Sequence, residues 1–332
     1  MKRSVSVVAA IAALTLALSA CGGGGTASPG TSASGGASSS DKTYEIGAVT
    51  IVSHPALDAV SKGFQDGLTE AGIKYNYDFK NPQGDQATLA SIANTFASGK
   101  KDLYFAIATP PVQALAQAIK DAPIVFAGVT DPKVAGVVDS WEKPGGNVTG
   151  MSDLSPVKEQ LALLKEIKPD AKTVGIVYSS SEANSQVLVD LAKKEASGLG
   201  LEIKTATVVN TSEVGQAAES LAVDAYYVPT DNTVVTAIES LIQVAEKNKR
   251  LVIAADTDSV GRGATAALSL DYYKQGKQAA TMAVKILKEG GKPADMPVET
   301  QKDLDLVINP KAAAAQGVTL PETVTKRATK TV

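Results

Sequence analysis

The chain has 332 residues, with 32 Lys and Arg against 35 Asp and Glu, one His, one Cys and one Trp. One Cys excludes an internal disulfide framework, and one Cys with one His excludes a tetrahedral Cys/His zinc site. A net charge of −3 with no basic block argues against a nucleic-acid surface, and 5% aromatic residues leave little for stacking on single strands.

The first forty residues read as addressing rather than fold. Lys2 and Arg3 precede Val7 to Leu18, a stretch apolar apart from Thr15. Its length suits a secretory signal and falls short of the about 20 residues that a spanning helix needs. The run Leu18-Ser19-Ala20-Cys21-Gly22 then resembles a bacterial lipobox. That resemblance implies cleavage after residue 20, a diacylglycerol on the Cys21 sulfur, and an extracytoplasmic protein held at the membrane by lipid alone. Residues 22–40 contain only Gly, Ser, Ala, Thr and Pro and cannot bury enough surface to order themselves. They read as a tether with an r.m.s. span of roughly 24 Å. Residues 1–20 are thus expected to be signal peptide and residues 21–43 lipidated Cys and tether.

From Tyr44 onward, apolar β-rich runs alternate with helical spacing. Strands are predicted at Ile46–Val52, Lys74–Phe79, Leu103–Ala108 and Ile124–Ala127, then at Thr173–Tyr178, Glu202–Val208, Ala225–Val228 and Leu251–Ala254. Amphipathic stretches such as Leu57-Val60-Phe64-Leu68 lie between them. This pattern predicts an α/β fold with parallel sheets covered on both faces. The chain also echoes itself: Ile46-Gly47 answers to Val174-Gly175, and Asp102-Leu103-Tyr104-Phe105 to Asp224-Ala225-Tyr226-Tyr227. The period is domain-sized, so two lobes of similar topology are expected. One takes residues 44–152 plus about 269–300, the other 153–268 plus about 301–320, and residues 321–332 form a frayed tail. Pro144 to Gly150 reads as turn-rich, leading into a crossover at Met151 to Pro156.

In open α/β sheets, ligands sit beyond the carboxyl ends of the strands. Those ends are polar here: Ser53 and His54, Thr109, Thr130 and Asp131, Ser179 to Ser185, Thr230 to Asn232, and Asp256 to Ser259. Each alone is an ordinary N-cap, but facing lobes would bring them into one cleft. A zwitterion would want its carboxylate at a helix N-terminus, with Asn184 and Ser185 the candidates. Its ammonium would want Asp231, beside Thr230, or Asp258. Ser53, His54 and Thr109 would touch the ligand from the first lobe. Tyr178, Tyr272 and Tyr273 could wall the cleft or pack in the core. No P-loop, dinucleotide fingerprint, G-x-S-x-G elbow or calcium loop occurs, so neither a cofactor nor a metal nor catalysis is expected.

Several runs resemble the ABC transporter substrate-binding lipoproteins of the tryptophan/aromatic-amino-acid type. They include Val52-Ser53-His54-Pro55, Val129-Thr130-Asp131-Pro132, Glu182-Ala183-Asn184-Ser185, Val228-Pro229-Thr230-Asp231-Asn232 and Leu270-Asp271-Tyr272-Tyr273. The resemblance implies a type I periplasmic-binding fold, two Rossmann-like lobes joined by a multi-strand hinge. It implies a monomer that hands an amino-acid-like ligand to a permease with a separate ATPase, aromatic amino acids being the best-known class. A nucleoside, sugar or other solute on the same fold is the alternative, and a sensing lipoprotein or a cleft enzyme are the competing classes.

Overall fold

The computed structural model describes residues 42–332; the signal, Cys21 and tether readings fall outside them. The first lobe contains β1 (Thr43–Thr50), α1 (Pro55–Glu70), β2 (Lys74–Lys80), α2 (Gln86–Gly99), β3 (Leu103–Ile107), α3 (Thr109–Ala118), β4 (Ile124–Val129) and β5 (Val148–Ser152). The second begins with α4 (Val157–Ile167), β6 (Thr173–Ser179), α5 (Ala183–Ala196), β7 (Glu202–Val208) and α6 (Val214–Ser220). It continues through β8 (Ala225–Val228), α7 (Asn232–Thr236), α8 (Ile238–Lys247), β9 (Leu251–Ala254), α9 (Asp258–Gly261) and β10 (Ala266–Ser269). The chain returns to the first lobe as α10 (Tyr272–Glu289) and β11 (Glu299–Thr300), then ends on the second as β12 (Asp305–Ile308), α11 (Pro310–Ala315), α12 (Glu322–Arg327) and β13 (Lys330–Thr331).

The first sheet has the order β2-β1-β3-β4-β5-β11 and the second β7-β6-β8-β9-β10-β12-β13. All neighbours are parallel except β10 and β12. The central strands β3 and β4 are buried along their whole length, as near-continuous apolar runs require. The chain passes between the sheets three times, at residues 153–156, 270–271 and 301–304. Two passages are tied together: Asp271 N–H donates to Gln301 Oε1 at 2.9 Å, and Gln301 Nε2 donates to the Asp271 carbonyl at 2.8 Å.

The sequence echo has a physical counterpart. In the first lobe the Tyr104 ring lies over Gly47, whose added Cβ would meet Tyr104 Cδ1 at 2.9 Å. Tyr104 OH donates to the Phe96 carbonyl at 2.7 Å. In the second lobe Tyr226 lies over Gly175 and donates to the Ala218 carbonyl at 2.7 Å. Asp102 accepts from Glu45 N–H and Asp224 from Thr173 N–H, each at 2.8 Å, fixing the first and third strands of each lobe in register. The repeated residues therefore do the same job twice.

Helices α1 and α10 cross closely because glycines face them. A Cβ on Gly63 would sit 2.1 Å from the Tyr273 carbonyl oxygen, and one on Gly276 2.1 Å from that of Val60. Backbone cannot yield as a side-chain tip can, so the helices would have to part. Gly276→Ala should cost roughly 1–3 kcal/mol or more in urea unfolding. A midpoint unchanged from the parent chain would show that the crossing is loose.

Two expectations fail locally. Val148–Ser152 is a buried strand inside the run read as turn and crossover. Gly150 belongs there because its Cβ would lie 2.2 Å from the Phe126 carbonyl oxygen on β4. The expected frayed tail is folded: Val324 on α12 is fully buried, and β13 pairs with β12. Val324 sits in the second core with Leu320 and Ala328 packed against it, and Arg327 pairs with Glu166. Among the described residues no helix is long and apolar enough to cross a membrane.

Candidate ligand-binding cleft

Strand order reverses between β1 and β3 in one sheet and between β6 and β8 in the other. Such reversals leave a crevice, because the two flanking crossovers run to opposite faces. His54 follows β1, Thr109 follows β3, Asn184 lies beyond β6 and Thr230 beyond β8. Between the lobes lies a small cavity. His54, Ala56, Leu57, Gly128 and Thr130 line it from the first lobe, and Asp153 and Tyr272 from the passages between lobes. Asn184, Thr230 and Asp256 are among those that line it from the second.

Among the described residues, four buried polar side-chain atoms have no hydrogen-bond partner: His54 Nδ1, Thr109 Oγ1, Asn184 Oδ1 and Thr230 Oγ1. They are the four residues that flank the two strand reversals. Leaving a buried polar atom unmatched costs about 1–3 kcal/mol, and these four cluster where the strand order reverses in each sheet. Ala108, just before Thr109, has φ +83° although it carries a Cβ. Backbone strain of that kind collects at ligand clamps.

The acids differ in how far they are already spent. Glu182 is buried and accepts from Asn184 Nδ2, from Asn232 N–H and Nδ2, and from Thr233 N–H and Oγ1. It caps α7 across the reversal. Asp231 accepts from Ser179 N–H and Ser185 Oγ, both at 2.6 Å, and from Val234 N–H at 2.8 Å. Burial, helped by the neighbouring Glu182 charge, pushes its carboxyl up to about 7. Among the described residues Asp256 accepts only from Ser259, through N–H and Oγ. Asp153 accepts from Thr130 Oγ1 at 3.1 Å and Tyr272 OH at 2.9 Å, and burial raises its carboxyl above the usual range. Burial lowers the His54 imidazole, against an upward pull from Asp256 in the facing lobe. Among the described residues that line the cavity, Asp153, Asp231 and Asp256 are acidic and none is Lys or Arg.

Of the residues expected at the ligand, His54, Asn184, Thr230 and Asp231 line the cavity. Thr109 is buried at the adjoining reversal. Three are placed elsewhere. Ser53 is exposed and donates to Asp58 at 2.8 Å. The Ser185 hydroxyl is committed to Asp231. Asp258, at the start of α9, faces a separate depression with Asp271, Asp305 and Lys330. Tyr272 joins the lining, Tyr178 packs in the second core, and Tyr273 donates to Asp66. Asp153 and Asp256 were not singled out from sequence. Asp256 had a usable signal, as the first polar residue beyond β9, whereas Asp258 begins a helix.

Residues 45–332 match the model of the family described as ABC transporter substrate binding protein. The chain is 42% identical over 276 residues to a tyrosine-binding protein of Clostridioides difficile (strain R20291), covering 81% of this chain and 80% of that protein. A Streptococcus pneumoniae ABC domain in complex with L-Trp is 38% identical, with a TM-score of 0.85, covering 88% of this chain and all of that one. A ligand-free, open substrate binding protein of Clostridium difficile is 42% identical but has a TM-score of only 0.67, over 87% of this chain and 99% of that one. With its two parallel-sheet lobes, its three interlobe passages and a match over nearly all described residues, the chain belongs to the ABC transporter substrate binding protein family.

Proposed function

We propose that the protein captures a free aromatic amino acid between its lobes and delivers it to the permease of an ABC importer. The observation that carries this reading is the set of four unpartnered buried polar atoms, two at each strand reversal. The lining also has a polarity. The first lobe contributes no acid to the lining: it presents the His54 ring and the first-turn N–H groups of α1, which a helix leaves unpaired, with the Thr109 hydroxyl buried at the adjoining reversal. The second lobe and the passages contribute Asp256 and Asp153. A zwitterion fits with its carboxylate toward the first lobe and its ammonium toward these acids. The relatives named for tyrosine and crystallised with tryptophan support the aromatic class.

Ligand bridging both lobes shifts the population toward the closed form, which the permease reads. A separate subunit hydrolyses ATP. The receptor acts as a monomer, releases its ligand unchanged, and is held on the extracytoplasmic face by lipid on Cys21 and the tether of residues 22–40. The test is a thermal-shift screen against amino acids, nucleosides and sugars. Tyrosine or tryptophan should raise the midpoint by several degrees. A sugar or nucleoside doing so while no amino acid does would sink the proposal.

A further inference from the structure

We propose that the Asn184 amide oxygen and the Thr230 hydroxyl read a hydrogen-bonding group on the ligand's ring, and so favour tyrosine and tryptophan over phenylalanine. This rests on the amino-acid reading above. Asn184 Nδ2 donates to Glu182 Oε2 at 3.1 Å and to the Thr230 carbonyl at 3.0 Å. Both partners are acceptors only, so the amide cannot be flipped without setting its oxygen against a carboxylate and a carbonyl. Asn184 Oδ1 is thereby fixed as a buried acceptor at the cavity wall with no donor among the described residues. It repels a carboxylate and requires an N–H or O–H from the ligand.

The ammonium does not meet that need while it is held by the carboxylates. Asn184 and Asp256 follow β6 and β9, which β8 separates. Their strand ends are about two strand spacings apart, roughly 9–10 Å. An ammonium paired with Asp256 leaves Asn184 Oδ1 to the far end of the molecule. Among aromatic amino acids, tyrosine offers a phenol O–H there and tryptophan an indole N–H. Phenylalanine offers nothing, and a site built for a hydrogen bond rejects the analogue that lacks it. Thr230 Oγ1, also unpartnered, adds a donor that a phenol oxygen accepts and an indole N–H cannot.

Calorimetric titration of the purified protein with the three amino acids tests this. Tyrosine and tryptophan should each bind at least tenfold more tightly than phenylalanine. Thr230→Val removes a hydroxyl that bonds to nothing in the protein, so the fold should be kept. It should weaken tyrosine by about three- to tenfold, the range of one neutral hydrogen bond, and leave tryptophan and phenylalanine within twofold. Tight phenylalanine binding equal to that of tyrosine would overturn the ring-reading role while leaving the amino-acid reading intact. So would a Thr230→Val variant that weakens all three alike. Absence of binding by any of the three would overturn both.

Discussion

Asp256→Asn should weaken aromatic amino-acid binding by on the order of 100-fold, while Asp258→Ala should leave it within about threefold. Asp256 is buried, lines the cavity and, among the described residues, receives hydrogen bonds only from Ser259, so its charge has room for an ammonium. Removing one partner of a desolvated charge pair costs about 2–5 kcal/mol, because the other charge is left unpaired. Asparagine keeps an oxygen for Ser259 N–H and should preserve the local turn. Asp258 is half-buried and shares its depression with Lys330. Titration of both variants decides the matter, and equal losses would mean that the ammonium lies between them. Asp153→Asn should behave as Asp256→Asn does. Because burial raises the Asp153 carboxyl, affinity for an ammonium ligand should also fall as pH falls through that raised value, where the acid becomes neutral.

Glu182→Ala should destabilise the ligand-free protein by roughly 3 kcal/mol or more in urea unfolding. This carboxylate takes hydrogen bonds from Asn184, Asn232 and Thr233, and two of them cap the first N–H groups of α7. Its loss leaves several buried donors without a partner at once. Some relief comes from Asp231, whose carboxyl is raised partly by the Glu182 charge. The expected result is therefore a lowered midpoint with an unaltered slope. A loss below 1 kcal/mol would show that water replaces the carboxylate easily. Glu182→Gln should fall between, since its amide nitrogen would face donors.

The lobes were legible in the residues for a plain reason. Burial on both faces forces continuous apolar strands, and a duplicated fold reuses the same fixtures. The echo of Gly47 in Gly175 and of Tyr104 in Tyr226 is visible in the residues, while the seating of each Tyr over its Gly is seen only in the fold. The location of the cleft was legible too, because parallel sheets bind at their carboxyl ends whatever the ligand. What failed were places where one contact outweighs composition. Gly150 looks like a turn residue until Phe126 is seen against it, and Val324 looks like part of a polar tail until it is found buried.

The sequence by itself determined the parallel α/β class, the doubled lobe and the set of polar residues at the strand ends, since these follow from local periodicity and chain order. Only the tertiary structure decided which of those residues are free to act. Ser185 and Asp231 satisfy each other across 46 residues of chain, and Glu182 is consumed by α7. Asp153, Asp256 and Asn184 Oδ1 keep unspent capacity at the interlobe cavity. A side chain's availability is set by what remains of its donors and acceptors after folding, and partners far apart in sequence take up most of them.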